Sequence, residues 1–403
     1  MYVNNYRRVI VSHTATYKYT STLISLQHGV IHSPFQKGDA LLPELKSLSC
    51  YATIAWDNNI ARPYRIGDAC MEAVGVVGSG AWGTTLALLL AHKGIKTTLW
   101  EHRPERVETM RQHNENTFFL PNFPFPPALS ITSEIAEVAQ HKDMLILVTP
   151  SQRMRENVRL LASHISQNTI LVSASKGIEI STLERMTQII SEEVPATHTR
   201  IAALSGPNIA REVAEEKPTA AVVAAQDQDI ATHVQKLLST SHYRVYTAHD
   251  VTGVELSGAL KNIIAIGAGF NDGMGYGDNA KAAFITRGLA EISRLGIAAG
   301  AHPLTFAGLA GIGDLIATCA SPLSRNQQLG RRLAAGEKLD DILKSTRTVA
   351  EGVTTTKAAL QLAAYYNVDM PITKQLSLVL FEGLDPHQAV PELMMRGPKG
   401  ELE

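Results

Sequence analysis

Cysteine is scarce: Cys50, Cys70 and Cys319 are the only three in 403 residues. They lack metal-ligand spacing and suit a reducing compartment better than a disulfide framework. Neither an HExxH pair nor a Cys/His cluster is present, so nothing in the chain calls for a metal. An excess of charge is missing too. Lys and Arg number 37 against 38 Asp and Glu, a net −1, which gives no electrostatic case for nucleic acid or a membrane surface and leaves only a local basic pocket. No stretch reaches the roughly 18 uninterrupted apolar residues of a membrane helix, so no membrane insertion is expected. Internal repeats and low-complexity tracts are absent. What remains is an ordinary globular composition, 45% hydrophobic and 19% charged, in a chain long enough for two domains with separate cores.

Acidic residues are also missing from one region: residues 1–38 hold no Asp or Glu and are rich in Ser, Thr, Tyr and His, with Arg7, Arg8, Lys18 and Lys37. The basic, acid-poor character is that of an organelle transit segment, without the apolar stretch of a secretory signal. The plainer expectation is that residues 1–70 are an extension outside the fold, with disorder as an alternative to structure, because Met71 stands just before the first clear strand.

From residue 73 the pattern is strand, turn, helix, repeated. Ala73–Val77 is a short apolar run, followed by a Gly-rich turn and then by Trp82–His92 at helical periodicity. Lys96–Trp100, Met144–Val148, Thr169–Ser173, Ile201–Leu204, Thr219–Ala225 and Tyr243–Thr247 supply further strands. The MLILV run reads as a strand buried on both faces, as in a parallel sheet. Such alternation predicts an α/β, Rossmann-type doubly wound sheet over residues 71–250. Asn116–Pro127 carries too many prolines for a helix and is expected to be a loop over the sheet's edge. Beyond about residue 250 the strands stop. Val251–Phe270, Ala280–Leu295, Ser324–Ala335, Val353–Tyr366 and Thr373–Phe381 read as helices of an all-helical domain, residues 251–403. The cleft between the two is the expected place for a ligand.

Gly78-Ser79-Gly80-Ala81-Trp82-Gly83 is a GxGxxG element placed after a strand and opening a helix. Gly78 permits the tight turn, Gly80 lets backbone approach a pyrophosphate, and Gly83 allows close helix–strand packing. The helix N-terminus offers N–H groups and partial positive charge to the phosphates. At the end of the second strand Glu101 stands where an acidic residue binds the ribose 2′-OH of NAD, whereas His102 and Arg103 suit the 2′-phosphate of NADP. Either cofactor is expected, with a lean toward NADPH.

Three polar clusters interrupt otherwise apolar surroundings. Within Gly258–Phe270, Lys261 and Asn262 are the only strongly polar side chains, and a buried ammonium needs a partner, an exit to solvent or a task. Ser173-Ala174-Ser175-Lys176-Gly177 and Ser205-Gly206-Pro207-Asn208 each follow a strand, at the sheet's carboxyl edge. Ser324-Arg325-Asn326 opens a helix after Pro322. A Ser cap, an Arg fork and an Asn amide there form a cradle for the phosphate of a small-molecule substrate.

The segments GSGAWGTTLA, SASKGIE, ALSGPNIAREVA, GVELSGALKNIIAIGAGF, AAFITRGLAEISRLG, TFAGLAGIGDLIATCASPLSRN and VAEGVTT, in this order, resemble bacterial-type NAD(P)-dependent glycerol-3-phosphate dehydrogenase from about residue 73 to 395. The resemblance implies reduction of dihydroxyacetone phosphate to glycerol 3-phosphate for phospholipid synthesis in the cytoplasm. It makes Lys261 the proton donor and acceptor, with Lys176 binding substrate beside it. Gly206, Asn208, Asp314, Ser324, Arg325 and Asn326 complete the substrate pocket, with Asn262 and Thr318 as weaker additions. Ala81, Trp82, His102, Lys176, Ala210, Arg325, Val349 and Glu351 match cofactor positions. Asn208 stands where relatives often have Ser or Thr and still donates a hydrogen bond. A homodimer is expected; for apolar helices such as Ala280–Leu295 a role in the core is preferred over one in an interface.

Overall fold

The computed structural model describes residues 73–346, 350–398, 400 and 401, and upstream of them only the backbone of short antiparallel strand pairs. Those are Arg7–Ile10 with Val30–Ser33, Tyr17–Tyr19 with Thr22–Ile24, and Arg65–Ile66 with Ala69–Cys70. Most of the expected extension, and Val349 of the expected cofactor set, lie outside the described residues.

The sheet has eight strands: β1 Ala73–Val77, β2 Lys96–Trp100, β3 Leu129–Thr132, β4 Met144–Leu147, β5 Ile170–Ser173, β6 Ile201–Ser205, β7 Thr219–Ala225 and β8 Tyr243–Ala248. They lie in the order β3-β2-β1-β4-β5-β6-β7-β8, the first six being the Rossmann succession 3-2-1-4-5-6. All neighbours are parallel except β6 and β7. Met144, Leu145, Ile146 and Leu147 are all buried, so β4 is covered on both faces, as an unbroken apolar strand requires. The helices between the strands are α1 Ala81–His92, α2 Pro104–His113, α3 Ile135–Ala139, α4 Met154–Ala162, α5 Met186–Glu193, α6 Ala210–Ala214 and α7 Gln228–Leu238. The Pro-rich segment departs from a plain loop: Leu120–Pro124 pairs with Glu115–Asn116, and Leu129–Thr132 then joins the sheet as edge strand β3. Proline tolerates such edge and bulge positions because no interior ladder bond is lost there.

From Val251 onward every described element is helical. The central one, α8 (Val251–Met274), is capped by Asp250, whose carboxylate accepts the Gly253 N–H at 2.8 Å. Gly253 to Asn271 are buried without a break, the signature of a helix surrounded on all sides. Packed around α8 are α9 (Gly277–Ala298), α10 (Pro303–Phe306), a π turn at Leu309–Gly313, α11 (Asp314–Ala320), α12 (Arg325–Ala334), α14 (Glu351–Tyr365) and α15 (Pro371–Phe381). α13 (Leu339–Ser345) lies against α12, and α16 (Pro386–Met394) against α15. The approach of α8 to α12 is backbone to backbone. A Cβ on Gly330 would stand 2.0 Å from the Ile266 carbonyl oxygen, and one on Gly269 would stand 2.1 Å from that of Gln327.

Pro303–Ala320 is the one run among the described residues that is long and apolar enough, by length and composition, to cross a membrane. It is broken at Gly311, whose backbone is non-helical (φ −89°, ψ −106°). The break sets the start of α11, so that Asp314 is buried against α8.

Two buried carboxylates fasten elements by capping. Glu255 of α8 accepts the Thr187 N–H at 2.8 Å and the Arg185 guanidinium at 2.5 Å, tying α8 to the start of α5. Glu291 of α9 accepts the Ile372 and Thr373 N–H groups, each at 2.8 Å, and the Thr373 hydroxyl at 2.7 Å, at the start of α15. Negative charge at a helix start is favourable, and these bonds offset the cost of burying each carboxylate.

Candidate active site

The strand–turn–helix at Gly78–Gly83 has the geometry its glycines require. Gly78 sits at φ +113°, and a Cβ there would lie 2.5 Å from the Val148 carbonyl oxygen. A Cβ on Gly83 would fall 1.9 Å from the Gly78 oxygen, whereas one on Gly80 would meet nothing within 4 Å. The open side of Gly80 leaves room for a dinucleotide. Backbone is bare on the open side of the turn, Ala81 begins the helix, and the first-turn N–H groups of Ala81, Trp82 and Gly83 have no intrahelical acceptor.

At the end of β2, Glu101 is buried while His102 and Arg103 are exposed. The Glu101 carboxylate accepts the Ser79 hydroxyl and, at 3.2 Å, the Arg103 N–H, with His102 Nδ1 at 3.1 Å. It is turned toward the glycine turn, leaving the two basic side chains outward. Ala210 opens α6, where its carbonyl accepts the Thr85 hydroxyl at 3.1 Å and so holds α6 on α1. The Trp82 indole lies 6.3 Å from the buried Tyr243 ring.

At the carboxyl edge of the sheet the polar residues meet the helices. Lys176, after β5, donates to the Gly206 carbonyl at 3.1 Å and to Asp314 Oδ2 at 2.7 Å. Lys261, one helical turn beyond Gly258 on α8, stands 2.9 Å from Asp314 Oδ1 and also donates to the Thr318 hydroxyl. Thr318 in turn donates to the Asp314 carbonyl at 2.7 Å. One carboxylate therefore joins two ammonium groups, one from each side of the cleft. Lys261 is 6% exposed. Burial pulls its ammonium down to about 8, with Lys176 pushing the same way and Asp314 opposing. The stem of Lys176 crosses α8 at Gly258, where a Cβ would come 3.5 Å from Lys176 Cγ. Gly206 is at φ +133°, and its carbonyl direction is what Lys176 uses. Asn208 accepts the Tyr243 hydroxyl at 3.3 Å, and its Nδ2 is buried without a protein acceptor.

Ser324 caps α12 by accepting the Gln327 N–H at 3.3 Å, and Arg325 follows as an exposed first-turn residue. Glu351 at the start of α14 accepts the Ser151 N–H at 3.1 Å and the Ser151 hydroxyl at 2.5 Å. Burial raises the Glu351 carboxyl, against hydrogen bonds from Ser151 and the nearby charge of Arg325. That contact brings the helical residues to the loop after β4, beside Gly177. Asn326, expected at the phosphate, and Asn262, a weaker addition to the substrate pocket, are bonded to each other. Asn326 Nδ2 donates to Asn262 Oδ1 at 2.9 Å, and Asn326 Oδ1 accepts the Gly352 N–H at 3.1 Å. The pair joins α8, α12 and α14, leaving Asn326 one amide hydrogen for an anion. Sequence reasoning missed Ser151, Tyr243, Thr84 and Asn116. The last is buried within the Pro-rich segment and bonded to the glycine turn, and no local pattern announced it.

The sequence matches the family described as NAD-dependent glycerol-3-phosphate dehydrogenase, its N-terminal part over residues 73–231 and its C-terminal part over residues 250–391. Similar proteins include the glycerol-3-phosphate dehydrogenases [NAD(P)+] of Syntrophotalea carbinolica and Geobacter metallireducens. Each is 51% identical over 331 residues, 82% of this chain and 99% of the relative. Among solved structures, glycerol-3-phosphate dehydrogenase from Coxiella burnetii superposes with a TM-score of 0.78 at 35% identity, covering 81% of this chain and 99% of that one.

Proposed function

The chain belongs to the NAD-dependent glycerol-3-phosphate dehydrogenase family, and from that premise we propose the following division of labour for the reduction of dihydroxyacetone phosphate to glycerol 3-phosphate. The observation that carries it is the single carboxylate, Asp314, shared by Lys176 and Lys261 at the cleft. Gly78, Gly80, Ala81, Trp82 and Gly83 hold the dinucleotide's pyrophosphate, with His102, Arg103, Ala210 and Glu351 along its length. Bound there, the dinucleotide supplies the hydride.

Lys261 donates the proton to the carbonyl oxygen as negative charge develops on it, and in the oxidation direction takes it back. Its lowered pKa suits both directions near neutral pH. Lys176 adds a second cation and orients the substrate's oxygens. Asp314 keeps the two ammonium groups together and in place, which two like charges in a buried site would otherwise resist. Gly206 and Asn208 border the reacting carbon. Ser324, Arg325 and Asn326 receive the phosphate at the opening of α12, so that binding energy from the unreactive end fixes the reactive one.

The enzyme accepts NADPH or NADH, with NADPH favoured by the outward His102 and Arg103. The product feeds phospholipid synthesis, the location is cytoplasmic without membrane insertion, and the working form is a homodimer. Reduced-cofactor oxidation, followed with dihydroxyacetone phosphate and with dihydroxyacetone, tests the reading. Turnover is expected to need the phosphate. Equal rates on both ketones would overturn the phosphate cradle, and no turnover on either would overturn the activity.

A further inference from the structure

Asn116 lies 37 residues beyond the glycine turn in sequence and is 1% exposed against it. Its Nδ2 donates to the Ser79 carbonyl and to the Thr84 hydroxyl, both at 2.8 Å, and its Oδ1 accepts the Phe119 N–H at 3.1 Å. The Phe119 bond fixes which end of the amide faces the turn, because only an acceptor can meet that N–H. Thr84 itself donates to the same Ser79 carbonyl at 3.1 Å. Two donors thus draw the Ser79 C=O into the protein. A peptide unit is planar and trans, so the Gly80 N–H, across the same peptide bond, must point the opposite way. The turn is open at this residue, where a Cβ on Gly80 would meet nothing within 4 Å.

We propose that Asn116 is a positioning residue for the dinucleotide. By holding the Ser79–Gly80 peptide in one orientation, it presents the Gly80 N–H to the pyrophosphate before the ligand arrives. The inference rests on the family reading of the glycine turn and adds a residue from outside it. Asn116 is also one link of a closed circuit. Phe118, two residues on, lies under the Arg106 guanidinium at 4.1 Å, Arg106 lies 3.9 Å from Glu101, and Glu101 receives the Ser79 hydroxyl. The Phe-rich segment therefore braces both the turn and the residue at the end of β2.

Two substitutions test this. Asn116→Asp places an oxygen against the Ser79 oxygen. Thr84→Val keeps the shape and removes the second donor, and serves if the first variant does not fold. In each, the Kd for NADPH, read by nucleotide fluorescence, should rise about tenfold, the scale of one hydrogen bond. At saturating NADPH, kcat and the KM for dihydroxyacetone phosphate should stay within about twofold of normal, because the site of chemistry is not displaced. In the nucleotide-free protein, amide exchange across residues 78–84 should quicken. Thr84→Ser should restore normal affinity. Unchanged NADPH affinity in the folded variants would overturn the proposal, as would a loss of stability with affinity intact. Tight NADPH binding by the unaltered protein without turnover would instead overturn the activity and leave this assignment standing.

Discussion

Asp314→Asn is the substitution whose outcome the geometry dictates most closely. The carboxylate is 2.9 Å from Lys261 and 2.7 Å from Lys176. Lys261 already titrates near 8 because burial and Lys176 both disfavour its charge, and Asp314 is the chief group restoring it. Removing the negative charge leaves both disfavouring influences in place, so the Lys261 pKa must fall. A charge pair at this separation is worth several kcal/mol at an effective dielectric of about 20, and one pH unit corresponds to about 1.4 kcal/mol. Because Lys176 shares the carboxylate, we expect only part of that, a displacement of at least about one unit. Ketone reduction needs the protonated lysine, so its rate declines as pH rises through the pKa. In the variant the alkaline limb of kcat should move from near 8 to about 7 or below. Alcohol oxidation needs the neutral lysine, and its acidic limb should move down by the same amount. Initial rates in both directions between about pH 5.5 and 9.5, at saturating substrates, decide the matter. A limb that stays in place, or moves upward, refutes the assignment of Lys261 as the titrating acid.

Three further outcomes are expected. Lys261→Ala should lower kcat by at least about 10²-fold, the scale of losing a general acid, with NADPH affinity near normal by fluorescence titration. Arg325→Ala should raise the KM for dihydroxyacetone phosphate far more than it lowers kcat; steady-state kinetics showing equal losses on dihydroxyacetone would remove Arg325 from the phosphate. Glu291→Gln keeps one carbonyl oxygen where two carboxylate oxygens accept three hydrogen bonds at the start of α15. Thermal or urea denaturation should show a loss of about 1–3 kcal/mol. Burial raises the Glu291 carboxyl in the folded state, so its ionisation weakens the fold as pH rises from below about 4.5 through the folded-state value. That pH dependence should disappear in the variant.

The regular part of this fold could be read from the chain because burial imposes periodicity. β1, β2 and β7 begin and end at the residues expected of them, and α8 begins at Val251 as expected. Edges were harder. β3 and the pair around Asn116 lie at the margin of the sheet, where burial is incomplete and proline masks the extended pattern. The break at Gly311 lies inside an apolar, glycine-rich run without caps, so nothing local marked where one helix stops and α11 starts. Lys176 and Lys261 stood out as cations in apolar surroundings, but a sequence cannot say that they converge. Asp314 is an ordinary residue in its own neighbourhood, named only by the family resemblance, and acquires its place through contacts more than 50 residues away. The setting of Asn326 was hidden for the same reason, since its partners Asn262 and Gly352 belong to two other helices.

The bare crossing of α8 and α12 works as a ruler. At Gly269 and Gly330, where the helix that carries Lys261 crosses the one that begins with Arg325, main chain rests on main chain without a side chain between. The span from proton donor to anion anchor is thereby set by peptide thickness, which changes elsewhere in either helix can hardly alter. A single added methyl group at Gly330 would wedge the two helices apart and lengthen that span. A three-carbon ester would then be stretched between its grips without any residue that touches it having been replaced.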